Sequence, residues 1–165
     1  MTFTDPDPAP SIRSLLPAIL AGGLIAGVFD AASAINSFGW GMFYGIASGL
    51  LGSKAFPQAG GGGAVIWALG VVLHFVIALS AAAIYCVSSR WLGFLRERPL
   101  VGGLMCGIAV FLVMNLIVLP LSAVPFAVGP FTVQGLRMNI LFLTLLVGLP
   151  ISASLWYFAR RARRV

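Results

Sequence analysis

The sequence predicts an all-α membrane protein: a bundle of four transmembrane helices, with a short interfacial or re-entrant helix between the first and second spans. Three observations carry this expectation. Of 165 residues, 60% are apolar and only 8% charged, too few charges to solvate a water-soluble domain of this length. The apolar residues fall into four long continuous runs, each able to cross a hydrocarbon core of roughly 30 Å as a helix rising about 1.5 Å per residue. None of these runs alternates over about ten residues as a barrel strand would, so each must satisfy its backbone hydrogen bonds internally.

Residues 1–10, MTFTDPDPAP, hold three prolines and two aspartates and read as a disordered tail. A single membrane domain is expected over 11–160, followed by a basic tail at 161–165. The first span is placed at about Leu15 to Asn36, with Pro17 tolerated in its opening turn. A cleaved signal peptide is the alternative, because Arg13 precedes an apolar run ending in Ala32, Ser33 and Ala34. That run is longer than a usual apolar signal core, contains Asp30 and follows Asp5 and Asp7, so it reads as a retained span. The segment from Phe38 to Gly52, FGWGMFYGIASGLLG, is too short to cross. At helical spacing Trp40, Phe43, Tyr44, Ala47 and Leu51 form a broad face suited to headgroups. Gly41, Gly45, Ser48 and Gly52 form a narrow one expected to approach other helices closely.

After the flexible Gly60–Gly63 run, the second span is placed at about Ala64 to Ser88, the third at about Pro99 to Leu121 and the fourth at about Ile140 to Phe158. Ser122 to Leu136, broken by Pro125 and Pro130, is expected to be irregular. Pro150 should kink the fourth span. Gly22–Gly27, GGLIAG, recurs as Gly102–Gly107, GGLMCG. This repeat suggests a 2+2 parallel duplication, or two helices that acquired the same packing face independently.

The net charge of +6 comes from basic residues flanking apolar runs, with no interleaved aromatic patch that would suit nucleic acid. Arg13, Arg90, Arg96, Arg98, Arg160, Arg161, Arg163 and Arg164 fall on one side of the four-span topology, against Lys54 and Arg137 on the other. The positive-inside bias therefore predicts cytoplasmic termini. Cys86 and Cys106 lie within apolar runs and lack metal-type spacing; they read as small buried side chains. Neither a cofactor nor a metal is expected, and the expected partners are the lipid bilayer together with a second copy or another membrane protein.

Three polar residues interrupt the spans: Asp30, His74 and Asn115. Counted from the outer helix ends they lie roughly 9 to 15 Å deep at about 1.5 Å per residue. Gly23, Gly27 and Asp30 share one stripe of the first span, and Gly70, His74, Ala78, Ala81 and Tyr85 one stripe of the second. In the third span Gly103 and Gly107 are the expected packing glycines, and Gly107, Phe111 and Asn115 share a side. Small residues favour helix contact in lipid, so these faces should point inward. An unpaired ionised aspartate at this depth costs several kcal/mol. Asp30 is therefore expected to contact His74, with Asn115 or Tyr85 nearby, as either a clasp fixing helix register or an ion or proton site. Ser48, His74 and Asp30 also contain the residue types of a hydrolytic triad, but Gly45-Ile46-Ala47-Ser48-Gly49 is not a G-x-S-x-G elbow.

The stretches AGVFDAASA around Asp30, IASGLLGSKAF from Ile46 to Phe56, LHFVIALSAAAIY from Leu73 to Tyr85 and VMNLIVLPLSAVPF from Val113 to Phe126 resemble a group of small bacterial inner-membrane proteins of unknown function. They are distantly similar to the YagU-like membrane proteins. The resemblance implies a bacterial plasma-membrane location and equivalents of Asp30, His74, Asn115 and the Pro120-Leu121-Ser122 turn. It implies no activity. The expected function is thus a non-enzymatic helical bundle or accessory subunit with a buried polar cluster. A small proton-coupled permease or channel using Asp30 and His74 is the alternative, and an intramembrane hydrolase a more distant one.

Overall fold

A computed structural model of the chain describes residues 11–125 and 132–162. The expected N-terminal tail, the middle of the loop after the third span and the last three residues of the basic tail lie outside them. The described residues contain no strand. Four helices are long and apolar enough to cross a membrane: α1 (Ile12–Phe38), α3 (Gly63–Ser88), α5 (Pro99–Leu121) and α6 (Val133–Ala162). Between them lie α2 (Met42–Leu51) and the short α4 (Phe94–Glu97). The chain is a multi-pass helical membrane protein. Its terminal end carries the start of α1, the α3–α5 connection and the end of α6. The distal end carries α2 and the other turns.

The helices are larger outside than inside, as lipid requires. On α1 the inward face is Leu15, Ala18, Gly22, Ala26 and its neighbours, while Leu16, Leu20, Leu24, Val28 and Phe29 are exposed. With no hydrophobic drive between helices in lipid, close backbone approach supplies the attraction, and small residues permit it. A Cβ on Gly23 would lie 2.8 Å from Leu79 Cδ2 and 3.0 Å from Leu79 Cα; one on Gly27 would lie 2.9 Å from the Phe75 ring. Gly22 faces Ile151 of α6. On α5, Gly103 faces Leu149 and Ser152, while Gly107 faces the Thr144 backbone. The two GG-x-x-x-G stretches therefore hold equivalent places, the first fitting α1 to α3 and the second α5 to α6.

Two prolines shape the distal half. α5 is α-helical to Val113, widens to π geometry over Met114–Val118 and resumes at Leu119. α6 does the same over Leu143–Gly148 before resuming at Leu149. In each, the last wide turn donates a residue's N–H five positions back, Leu119 to Met114 and Leu149 to Thr144. Pro120 and Pro150 follow one residue later. Proline lacks an N–H and crowds the carbonyl four residues before it, and a wide turn relieves that conflict. The kink expected at Pro150 is thus taken up by a π segment, and an equivalent one precedes Pro120.

The fourth span starts earlier than its hydropathy suggests. Thr132 caps α6, its hydroxyl accepting from Gly135 N–H at 3.0 Å, so Val133 to Leu136, expected to be irregular, are helical, and Arg137 and Asn139 join the span. An N-cap threonine before a weakly apolar first turn is a stronger start signal than the later onset of hydrophobicity. At the other terminus the helix runs to Ala162, so Arg161 belongs to the span and not to a free tail.

A candidate ligand cavity in the distal half of the bundle

The terminal half of the bundle is closely packed. Leu15, Ala18, Ala82, Tyr85, Cys86, Leu95, Cys106, Ile151 and Leu155 form one continuous buried cluster. Both cysteines are free and buried there. The Tyr85 hydroxyl stands where a side chain on Gly102 would begin, which brings α3 against α5 at this end. Toward the distal end the helices border a partly open cavity of about 630 Å³, walled by α1, α3, α5 and α6 and by α2.

α2 is docked by its aromatic side. Phe43, Ala47 and Ser48 are buried, and the Phe43 backbone crosses α3 where only Gly70 leaves room. Trp67 Nε1 donates to the Trp40 carbonyl at 3.1 Å, and the Phe43 ring meets Trp67 edge-on at 5.0 Å between centroids. At the other end of α2, Ala123 N–H donates to the Gly49 carbonyl at 2.9 Å. The expected facing is therefore corrected. Phe43 and Ala47 pack on α3 rather than lying among headgroups, and Gly41 and Gly45 approach no helix. A Cβ on either of these two glycines would meet nothing within 4 Å, because both line the cavity.

Asp30, His74 and Asn115 all line this cavity. Their placement follows from the glycines: Gly23 and Gly27 draw α1 onto α3, and one turn later Asp30 projects where α2 and the wide turn of α5 hold the walls apart. Asp30 and His74 are close enough to interact electrostatically, but they form no hydrogen bond. His74, which is buried, has Nε2 2.9 Å from the Gly27 carbonyl oxygen. A carbonyl can only accept, so Nε2 carries the proton. The ring is further held edge-on between Phe43 and Phe75. Asn115 sits in the π segment, and its Nδ2 donates to the Phe111 carbonyl at 2.8 Å. The direct Asp30–His74 contact expected from the sequence is thus replaced by a histidine clasped to the α1 backbone. Asp30 is left facing the cavity.

Two other candidates fall elsewhere. Tyr85 belongs to the packed terminal half, about three turns of helix from His74 at about 1.5 Å per residue, and its buried hydroxyl has no hydrogen-bond partner. Ser48 is fully buried, its hydroxyl donating to the Gly45 carbonyl at 2.6 Å, and it does not line the cavity. Asn139 does line it; it was not among the expected site residues because the fourth span, expected from Ile140, begins seven residues earlier, at Val133. Among the described residues no group of three or more His, Cys, Asp or Glu side chains is placed to hold a metal ion.

The fold and site define a multi-pass membrane protein with a cavity inside its distal half, apolar along most of its wall and polar at a few points. No family model, no curated protein and no solved structure matches the chain.

Proposed function

We propose that this protein is a non-enzymatic membrane protein that binds a small amphipathic molecule inside its own bundle. One observation carries the reading: Asp30, the only acidic residue within the spans, lines a cavity of about 630 Å³ and has no hydrogen-bond or ion-pair partner among the described residues. A register clasp would bury its carboxylate against a donor. A cavity of roughly 300–1,000 Å³ with apolar walls and a few convergent polar groups is the usual form of a ligand site. The burial of Ser48 away from the cavity supports a non-enzymatic role.

A neutral solvatochromic apolar probe should bind saturably to the protein in nanodiscs. Gly45→Leu should abolish that binding, because its side chain enters open cavity space, while keeping or raising the thermal midpoint through the better helix propensity of leucine. Loss of the midpoint together with binding, or binding unchanged by the substitution, contradicts the reading.

A second reading, a small proton-coupled permease using Asp30 and His74, is favoured by the two π segments in the cavity wall, since such turns are frequent at functional sites. It requires pH-dependent flux in proteoliposomes that Asp30→Asn abolishes. For location, the arginine asymmetry supports cytoplasmic termini, and the resemblance noted above supports a bacterial inner membrane. Labelling of Lys54→Cys by an impermeant thiol reagent from inside the cell, and not from outside, overturns that orientation.

A further inference from the structure

Resting on the ligand-binding reading, we infer that the cavity selects an organic cation bearing N–H donors on an apolar body, a primary alkylammonium in chemical class. Two of the polar groups on its wall, His74 and Asn115, have already committed a donor to the protein, while Asn139, also on the wall, keeps its amide oxygen and both its N–H donors. His74 Nε2–H is engaged by the Gly27 carbonyl, so an unprotonated Nδ1 would offer a lone-pair acceptor. Asn115 gives one amide N–H to the Phe111 carbonyl and retains Oδ1 as an acceptor. Asp30 contributes two carboxylate oxygens and no donor when ionised. Among the described wall residues there is no lysine or arginine.

The free polar surface therefore holds more acceptors than donors and includes the only acidic side chain of the described spans, whose ionised form the cavity would pair with a cation. An anionic headgroup would meet a carboxylate of like sign with no cation to offset it. A neutral alcohol would satisfy one acceptor and leave the carboxylate unpaired in a low-dielectric site, which is the costly outcome. A primary ammonium supplies three donors and one positive charge. Its bonds to a carboxylate are charge-assisted, roughly twice as strong as neutral ones. The remaining wall is mostly apolar, with Ala26, Ile46, Phe56, Ile77 and Val118 among its residues, and suits a hydrocarbon chain.

The test is calorimetric titration of the purified full chain in neutral-lipid nanodiscs, with empty nanodiscs subtracted, using octylammonium, octyltrimethylammonium, octanol and octanoate. Octylammonium should bind at least about tenfold more tightly than the trimethylated cation, which keeps the charge but lacks donors. It should also exceed the alcohol, and octanoate should not bind. Asp30→Asn should remove this preference and Asp30→Glu should restore it, with the thermal midpoint of each variant measured alongside. If Asp30→Asn fails to fold, the ligand series on the parent decides alone. Equal affinity for octanol or octanoate overturns the cation inference while leaving the cavity a ligand site. Saturable binding of none of the four overturns the ligand-binding reading and this inference with it.

Discussion

Gly148→Ala is expected to destabilise the bundle by about 1–3 kcal/mol, the usual cost of forcing a methyl group into a filled interior. A Cβ there would run into the Gly103 carbonyl and come within 2.8 Å of Gly107 N and 3.0 Å of Gly103 C. All three are backbone atoms, so no rotamer change relieves the clash and α5 must move away from α6. Ser152 Oγ, which donates to the Pro99 carbonyl at 2.8 Å, would be strained by the same displacement. Gly45→Ala is the matched control. It adds the same methyl group where nothing lies within 4 Å, and should be neutral or stabilising by up to about 1 kcal/mol from helix propensity. Thermal unfolding in one detergent compares the two; equal midpoints would show that close α5–α6 approach contributes nothing.

Gly70→Ala is expected to lift α2 off the bundle, at a similar cost of about 1–3 kcal/mol, but with a local signature. Its Cβ would meet the Phe43 carbonyl group and lie 3.0 Å from Phe43 Cα. Displacing that backbone removes the Trp67–Trp40 hydrogen bond and the Phe43 contacts with Trp67 and His74. Amide exchange over Met42–Leu51 should accelerate selectively, and tryptophan emission should shift as Trp67 loses its partners. Uniform acceleration along the spans would mean that α2 is not a separately docked element.

The architecture was legible in the sequence because lipid leaves so few solutions. Four apolar runs must be four helices, and paired GG-x-x-x-G stretches mark where backbones meet. The inward facing of Asp30, His74 and Asn115 was also legible, since each shares a helix stripe with small residues. Partnerships were not. His74 bonds to a backbone carbonyl that every residue of α1 possesses, and no side-chain pattern announces which carbonyl is in reach. The glycine face of α2 looked like a packing surface because glycine serves both close approach and open space; only the position of Phe43 over Gly70 decides between them. Tyr85 was linked to the cluster by stripe alone, although the three helical turns between it and His74 place it in the other half of the bundle. The wide turns before Pro120 and Pro150 follow from proline's missing donor. Nothing local to the sequence distinguishes a π segment from a bent α-helix as the remedy.

The Asp30 carboxyl faces an intramembrane cavity rather than a packed contact. Carbodiimide modification measures this most directly, because the reagent is apolar, reaches carboxyl groups from within the bilayer and needs room beside them. With the native protein in nanodiscs at mildly acidic pH, peptide mass spectrometry should find dicyclohexylcarbodiimide attached at Asp30, with labelling suppressed in Gly45→Leu. An Asp30 that stays unmodified in the native protein yet labels readily after unfolding would contradict the account.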